Sequence, residues 1–162
     1  MPSTDGQAAG NAATVTIRRA TLSDAEALAP LLGALGYPTE PASVAARLDT
    51  LLASARDAVL VAAEGEGEAL LGVLALHWST LLHLATPIAR IGSLVVAEGA
   101  RGRGVGALLL QEAAALAKAE GCAGLELTTN MRRHAAHAFY AARGFTWTSL
   151  GFGRKLDGDE PG

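Results

Sequence analysis

With one cysteine in 162 residues, the chain has no means of forming an internal disulfide. Cys122 follows Gly121 between a helical and a strand-like pattern, where a small buried residue is expected rather than a nucleophile. Basic excess is missing as well: 13 Lys and Arg against 16 Asp and Glu leave a formal charge of −3. That balance argues against nucleic acid or an acidic membrane as the main partner, since either needs a basic face. No apolar run approaches the roughly 20 residues of a membrane span, each being broken by charge, Gly or His. Met1 to Ala13 is rich in Ser, Thr, Gly, Ala and Asn and lacks the apolar segment of a signal peptide, so a disordered tail and a cytoplasmic location are expected. Repeats, low-complexity tracts and massed blocks of charge are also absent.

What the chain does have is apolar residues, half of the total, enough for one core at this length. One domain is expected over residues 14–156, followed by a polar tail at 157–162. Thr14 to Arg19 alternates as a half-buried strand. Ser23 with Glu26 reads as a capping box ahead of a helix carrying Leu28, Leu31, Leu32 and Leu35 on one face and stopped by Gly36. A second helix is expected with Thr39 as cap, Pro41 in its first turn, and Val44, Leu48, Leu51 and Leu52 on one side. Ala58 to Ala63 and Leu70 to His77 read as strands joined by the acidic, glycine-rich stretch from Glu64 to Glu68, and Ile88 to Val96 as a buried strand. Helix from Gly104 to Glu120, strand from Leu125 to Thr129, helix from Arg133 to Arg143 and two short closing strands complete the chain. The order β-α-α-β-β-β-α-β-α-β-β implies an α/β fold with a mixed sheet, its parallel neighbours joined by the helix that follows Val96.

Chemistry concentrates between Leu94 and Leu110. A strand ending at Val96 passes through a polar turn into Arg101-Gly102-Arg103-Gly104-Val105-Gly106 and then a helix. Glycines let a ligand approach the backbone, the helix start directs unpaired N–H groups and a positive dipole end at it, and Arg101 and Arg103 add charge. These features point to a pyrophosphate cradle rather than a bare turn. A nucleotide-triphosphate loop is excluded, because no Gly-Lys-Ser or Gly-Lys-Thr closes the motif. Gly102, Gly104 and Ala107 match a dinucleotide fingerprint literally, but five residues separate Val96 from Gly102 and only 55 follow Ala107, too few for a doubly wound sheet.

Leu94-x-Val96 followed by Arg101-x-x-Gly104-x-Gly106 resembles the coenzyme A signature of the GCN5-related N-acetyltransferase (GNAT) superfamily. Downstream, the block from Ala136 to Phe145, with Phe139-Tyr140 and Gly144-Phe145, resembles the A-x-x-F-Y-x-x-x-G-F element of the same superfamily. The likeness extends from Val15 to Leu156, and the stretch Thr128 to His134 with Ala136-His137-x-Phe139-Tyr140 is similar to the aminoalkylphosphonate N-acetyltransferases. The resemblance implies acetyl-coenzyme A as acetyl donor and transfer to the primary amine of a small molecule. It further implies that Leu94, Val95 and Val96 offer backbone groups to the pantetheine arm and thioester, that the stretch from Arg101 to Gly106 holds the pyrophosphate, that Asn130 and Arg133 assist, and that Tyr140 is the general acid.

The sequence departs from the superfamily at the base. Many relatives carry a glutamate four residues before the Leu94 position, where this chain has Arg90, which is no base at neutral pH. Proton removal is then left to water or to another side chain such as His77 or His83. Arg90 reads either as a contact for an anionic group on the acceptor or as a solvated edge residue. Tyr37, His77, His83 and Arg90 are the acceptor-site candidates. His134 and His137 stand three apart on a predicted helix without a third ligand, so no metal is expected. A homodimer is expected beside the small-molecule amine as partner. The rival functions are an acyl-coenzyme A-binding regulatory module without turnover and an acetyltransferase acting on protein or peptide amines.

Overall fold

The computed structural model describes residues 14–66 and 69–156. The expected tails at 1–13 and 157–162, and Gly67 and Glu68 of the expected acidic connection, lie outside the described residues. Two units divide after Thr128.

The first unit is a sheet with helices on its faces. Strands β1 (Val15–Arg19), β2 (Asp57–Glu64), β3 (Leu70–Ser79), β4 (Ile88–Val96) and β5 (Gly124–Leu127) lie side by side in chain order. All neighbours are antiparallel except β4 and β5, which are parallel and joined by helix α3 (Val105–Ala119), as the element order implied. Helices α1 (Ala25–Ala34) and α2 (Pro41–Ala53) place Leu28, Leu31, Val44 and Leu48 in one buried cluster with Val59, Val61, Val73 and Val95 of the sheet. On the opposite face α3 lies against Gly72, whose missing Cβ would stand 3.1 Å from Leu109 Cδ1 and 3.3 Å from Val105 Cγ1. Leu109 is fully buried, a contribution of about 1.5–3 kcal/mol for such a side chain.

Two caps differ from expectation. The chain enters α1 through a 3-10 turn, Leu22–Asp24, whose start is fixed by Asp24 rather than by Ser23 and Glu26. The Asp24 carboxylate accepts the Thr21 N–H at 2.8 Å and two guanidinium N–H groups of Arg18 at 2.7 and 2.8 Å, a stronger set of donors than the Ser23–Glu26 spacing offers. The α2 cap is Glu40, because Pro41 occupies the first helical position and restricts the residue before it to extended backbone. Thr39 instead donates its hydroxyl to the Tyr37 carbonyl at 2.9 Å.

The second unit contains α4 (His134–Ala141), closed by Gly144 at φ +85°. The two closing strands expected after it are not formed: residues 145–156 carry no regular structure, and Trp147, Leu150 and Phe152 are exposed. A strand exists only as part of a ladder, and the described residues of this unit hold no other strand to pair with. Among the described residues no helix is long and apolar enough to cross a membrane.

Candidate active site

Strand β4 is continuous along one edge and open along the other. Its ladder to β3 runs from Ile88 opposite Ser79 to Val96 opposite Gly72, with one irregularity, where Ala75 and Leu76 face Ser93 and Ile91. Gly92 is therefore the extra residue of a β-bulge, which bends a strand and raises its twist. A glycine inside a strand pattern was the sequence signal for it. The parallel ladder to β5 pairs only Ile88–Ile91 with Gly124–Leu127. Beyond the bulge, Gly92 to Val96 continue without a strand partner on that side among the described residues.

Alternation decides which groups face the gap. The Ala97 N–H donates to the Leu71 carbonyl at 2.8 Å, so Ala97 points toward β3, and at a period of two so does Val95. Leu94 and Val96 present their N–H and C=O to the open edge. The resemblance grouped Leu94, Val95 and Val96 as backbone contacts; the backbone groups of Val95 are instead turned into the β3 ladder.

From Val96 the chain makes a 3-10 turn, Glu98–Ala100, and reaches the glycine loop. Gly102 and Gly104 have φ of +79° and +78°, the left-handed region, and a Cβ on either would meet nothing within 4 Å. They are glycines because of backbone conformation and not for lack of room. Gly104 caps α3, and the first helical bond runs from the Leu108 N–H to the Gly104 carbonyl at 3.1 Å. The N–H groups of Val105, Gly106 and Ala107 consequently have no acceptor within the helix. These N–H groups, with the dipole of a 15-residue helix behind them, suit an anion. The two arginines of the loop differ. Arg101 is exposed and forms no ion pair among the described residues, whereas Arg103 Nη2 is held 2.6 Å from Glu64 Oε1 at the end of β2. This partner raises the Arg103 pKa through hydrogen bonding and charge, and it competes with any phosphate for the guanidinium.

Below the opening, polar side chains line up across four strands. Asp57, His77, Arg90 and Glu126 are paired in register on β2, β3, β4 and β5. His77 Nδ1 lies 3.0 Å from Asp57 Oδ1, and Glu126 Oε1 receives both Arg90 Nε at 3.0 Å and Arg90 Nη2 at 2.5 Å. Gly72 marks the face covered by α3 and Val73 the face covered by α1 and α2, so His77 and the row belong to the α1–α2 face. The Arg90 charge is thus matched within the sheet by Glu126, which weakens its reading as a contact for an anionic acceptor. Tyr37, in the turn after α1, and His83, between β3 and β4, are exposed and make no side-chain hydrogen bond to the row. Sequence reading missed Asp57, Glu64 and Glu126, whose roles depend on partners 20, 39 and 36 residues away.

In the second unit Tyr140 lies between two aromatic rings, with centroids 5.3 Å to Phe139 and 5.6 Å to Phe145. Burial raises its pKa, which the Arg133 charge opposes, so the phenol keeps its proton through neutral pH. Asn130 shapes the approach to α4: its Oδ1 accepts the Arg132 N–H at 2.9 Å, and its carbonyl accepts the Arg133 N–H at 3.0 Å and lies 2.9 Å from His137 Nε2. The side-chain carbonyl of Asn130 is therefore already used by its own turn, while Arg133 is exposed at the helix start. Among the described residues no group of three or more His, Cys, Asp or Glu is arranged to hold a metal ion.

Comparison with known proteins places this geometry. The model of the acetyltransferase (GNAT) family matches residues 26–145. The aminoalkylphosphonate N-acetyltransferase of Salmonella typhimurium (strain LT2) is 36% identical over 85 residues, 52% of this chain and 55% of that protein, so the match spans about half of the relative's length. Among solved structures, a transcriptional regulator from Bacillus halodurans C-125 superposes with a TM-score of 0.79 at 28% identity, covering 88% of this chain and 100% of that one. An aminoglycoside N-acetyltransferase solved in complex with coenzyme A also superposes with a TM-score of 0.79, over 91% of this chain and 98% of its own. Its 18% identity makes it a likeness of fold alone.

Proposed function

Because the chain belongs to the acetyltransferase (GNAT) family, we propose that it transfers an acetyl group from acetyl-coenzyme A to the primary amine of a small molecule. The observation that carries this reading is the junction of the open β4 edge with the glycine loop. Two strand residues with free backbone groups, Leu94 and Val96, lead within ten residues to the uncapped N–H groups of α3. The donor set fits the group. Gly102 and Gly104 keep side chains out of the approach, the N–H groups of Val105, Gly106 and Ala107 with Arg101 suit a pyrophosphate, and an extended amide-bearing arm can hydrogen-bond along the edge as a further strand would. Acetyl-coenzyme A supplies the activated acetyl group. A strand N–H at the edge stabilises charge that develops on the thioester oxygen, and the Tyr140 phenol, protonated at neutral pH, is the proton source for the departing sulfur.

For the acceptor, the likeness to an aminoalkylphosphonate N-acetyltransferase supports an amine that also carries an anionic group. The Arg90–Glu126 pair argues for a modest anion preference at that position, because the guanidinium is already matched. A regulatory module that binds acyl-coenzyme A without turnover is the second reading, favoured by Arg90 in place of a strand glutamate and by the likeness to a transcriptional regulator. Thiol release from acetyl-coenzyme A in the presence of aminoalkylphosphonates, polyamines, aminoglycosides, amino acids and peptides separates the two. Amine-dependent release is expected with at least one small amine. Tight acetyl-coenzyme A binding with no release across the panel selects the regulatory module, and release with peptides alone selects a protein or peptide acceptor.

A further inference from the structure

From the four-strand polar row we infer that His77 accepts the proton of the incoming amine, with Asp57 as its positioning residue. This rests on the acetyltransferase reading and assigns the base that Arg90 cannot supply. Arg90 and His77 are cross-strand partners, so His77 presents its imidazole beside the position where a strand carboxylate is missing. Its Nδ1 is engaged by Asp57 Oδ1 at 3.0 Å. With the Nδ1 proton donated to that carboxylate, the lone pair stands on Nε2, and the ring is fixed in orientation as well as in tautomer. The His77 side chain is 51% exposed against 18% for Asp57, so the imidazole is open to solvent while its anchor is largely covered.

The surroundings of His77 are set by the row and by the elements packed on it. The facing groups are Asp57 on β2, Arg90 on β4 and, through Arg90, Glu126 on β5. Helix α1, which packs on β3 and β4, carries Glu26 as its only charge, and α3 covers the opposite face. Arg56, preceding Asp57, is directed to Thr80, its Nη1 lying 3.4 Å from the hydroxyl. Glu126 has one carboxylate oxygen committed to two nitrogens of Arg90. From Arg90 to Leu94 the strand rises about 10–13 Å, so the proton passes to Nε2 through ordered water. An alkylammonium loses one proton to Nε2. Its freed electron pair forms the C–N bond to the acetyl carbon, the C–S bond breaks, the sulfur leaves with the bonding pair and is protonated, and the amide nitrogen sheds its second proton to solvent.

The test uses the full chain and an amine that the wild type acetylates, following thiol release from about pH 6 to pH 9. His77→Gln is expected to lower kcat/KM at neutral pH by about 10²–10³ and to abolish the acidic limb of the profile, with acetyl-coenzyme A affinity by calorimetry unchanged. Asp57→Asn is expected to lower it by about tenfold in the same direction, and added imidazole is expected to restore part of the activity of His77→Ala. Activity of His77→Gln within about threefold of wild type with the acidic limb intact overturns the inference, as does loss of that limb in Glu126→Gln instead. A wild-type chain that binds acetyl-coenzyme A yet transfers to no amine overturns the reading beneath it, and the inference with it.

Discussion

Replacing Gly72 by alanine tests how closely α3 and β4 approach one another at β3. The Gly72 backbone is not in the left-handed region, so alanine is compatible with its conformation and the whole effect is one of space. A Cβ there would stand 2.8 Å from the Val95 carbonyl oxygen, 3.1 Å from Leu109 Cδ1 and 3.3 Å from Val105 Cγ1. The first contact is with backbone and the other two with almost wholly buried side chains, so none of the three has an easy retreat. Overpacking of this kind costs about 1–3 kcal/mol, and at about 2–4 °C per kcal/mol for a chain of this size the melting temperature is expected to fall by roughly 2–12 °C. Val95 lies between Leu94 and Val96, so a displaced β4 also moves the two residues that face the open edge, and acetyl-coenzyme A affinity is expected to fall with stability. Urea and thermal unfolding measure the first effect and calorimetry the second. Gly33→Ala is the control: its Cβ meets nothing within 4 Å, it lies inside α1, and it is expected to stabilise by about 0.5–1 kcal/mol. Wild-type stability in Gly72→Ala, with an unchanged urea slope, would refute the close approach.

Four further substitutions probe the site and its frame. Gly104→Val places a β-branched residue at φ +78° and is expected to cost about 1–2 kcal/mol of stability and to abolish acetyl-coenzyme A binding, while Arg101→Ala weakens binding by about 1.5–3 kcal/mol and flattens its salt dependence; calorimetry at two ionic strengths checks both. Tyr140→Phe keeps both ring contacts and is expected to lower turnover by about 10²–10⁴ with unchanged coenzyme affinity, whereas full activity with chemistry rate-limiting would leave Tyr140 a packing residue. Asp24 is held below the usual carboxylate range, first by its Arg18 hydrogen bonds, so its stabilisation is complete above the unfolded carboxylate pKa and is lost as pH falls through the folded one. Asp24→Asn is expected to cost roughly 1–2 kcal/mol at neutral pH, the low end for a charged hydrogen bond because Arg18 is 40% exposed, with the difference from wild type closing in acid unfolding curves.

The elements and the glycine loop were legible in the chain because they are local. Ile88 to Val96, Leu70 onward and the helix after Gly104 declare themselves by the spacing of apolar residues, and Gly102 and Gly104 by a backbone conformation that few other residues adopt. The Arg101-x-x-Gly104-x-Gly106 and Phe139-Tyr140 blocks carried the family for the same reason: each is a short contiguous run whose spacing is readable without any partner elsewhere in the chain. Register, by contrast, is not a local property. No spacing within the chain announces that Asp57, His77, Arg90 and Glu126 share one row, that the Val95 amide turns inward while those of its neighbours face the gap, or that Glu64 holds Arg103. The same holds for the closing segment, whose β-forming residues from Trp147 onward read as strands although a ladder needs a partner that the described residues of its own unit do not provide. Periodicity told which residues turn inward on each element; strand pairing, which joins Asp57 to His77 and Arg90 to Glu126 across 20 and 36 positions, decided which of them meet.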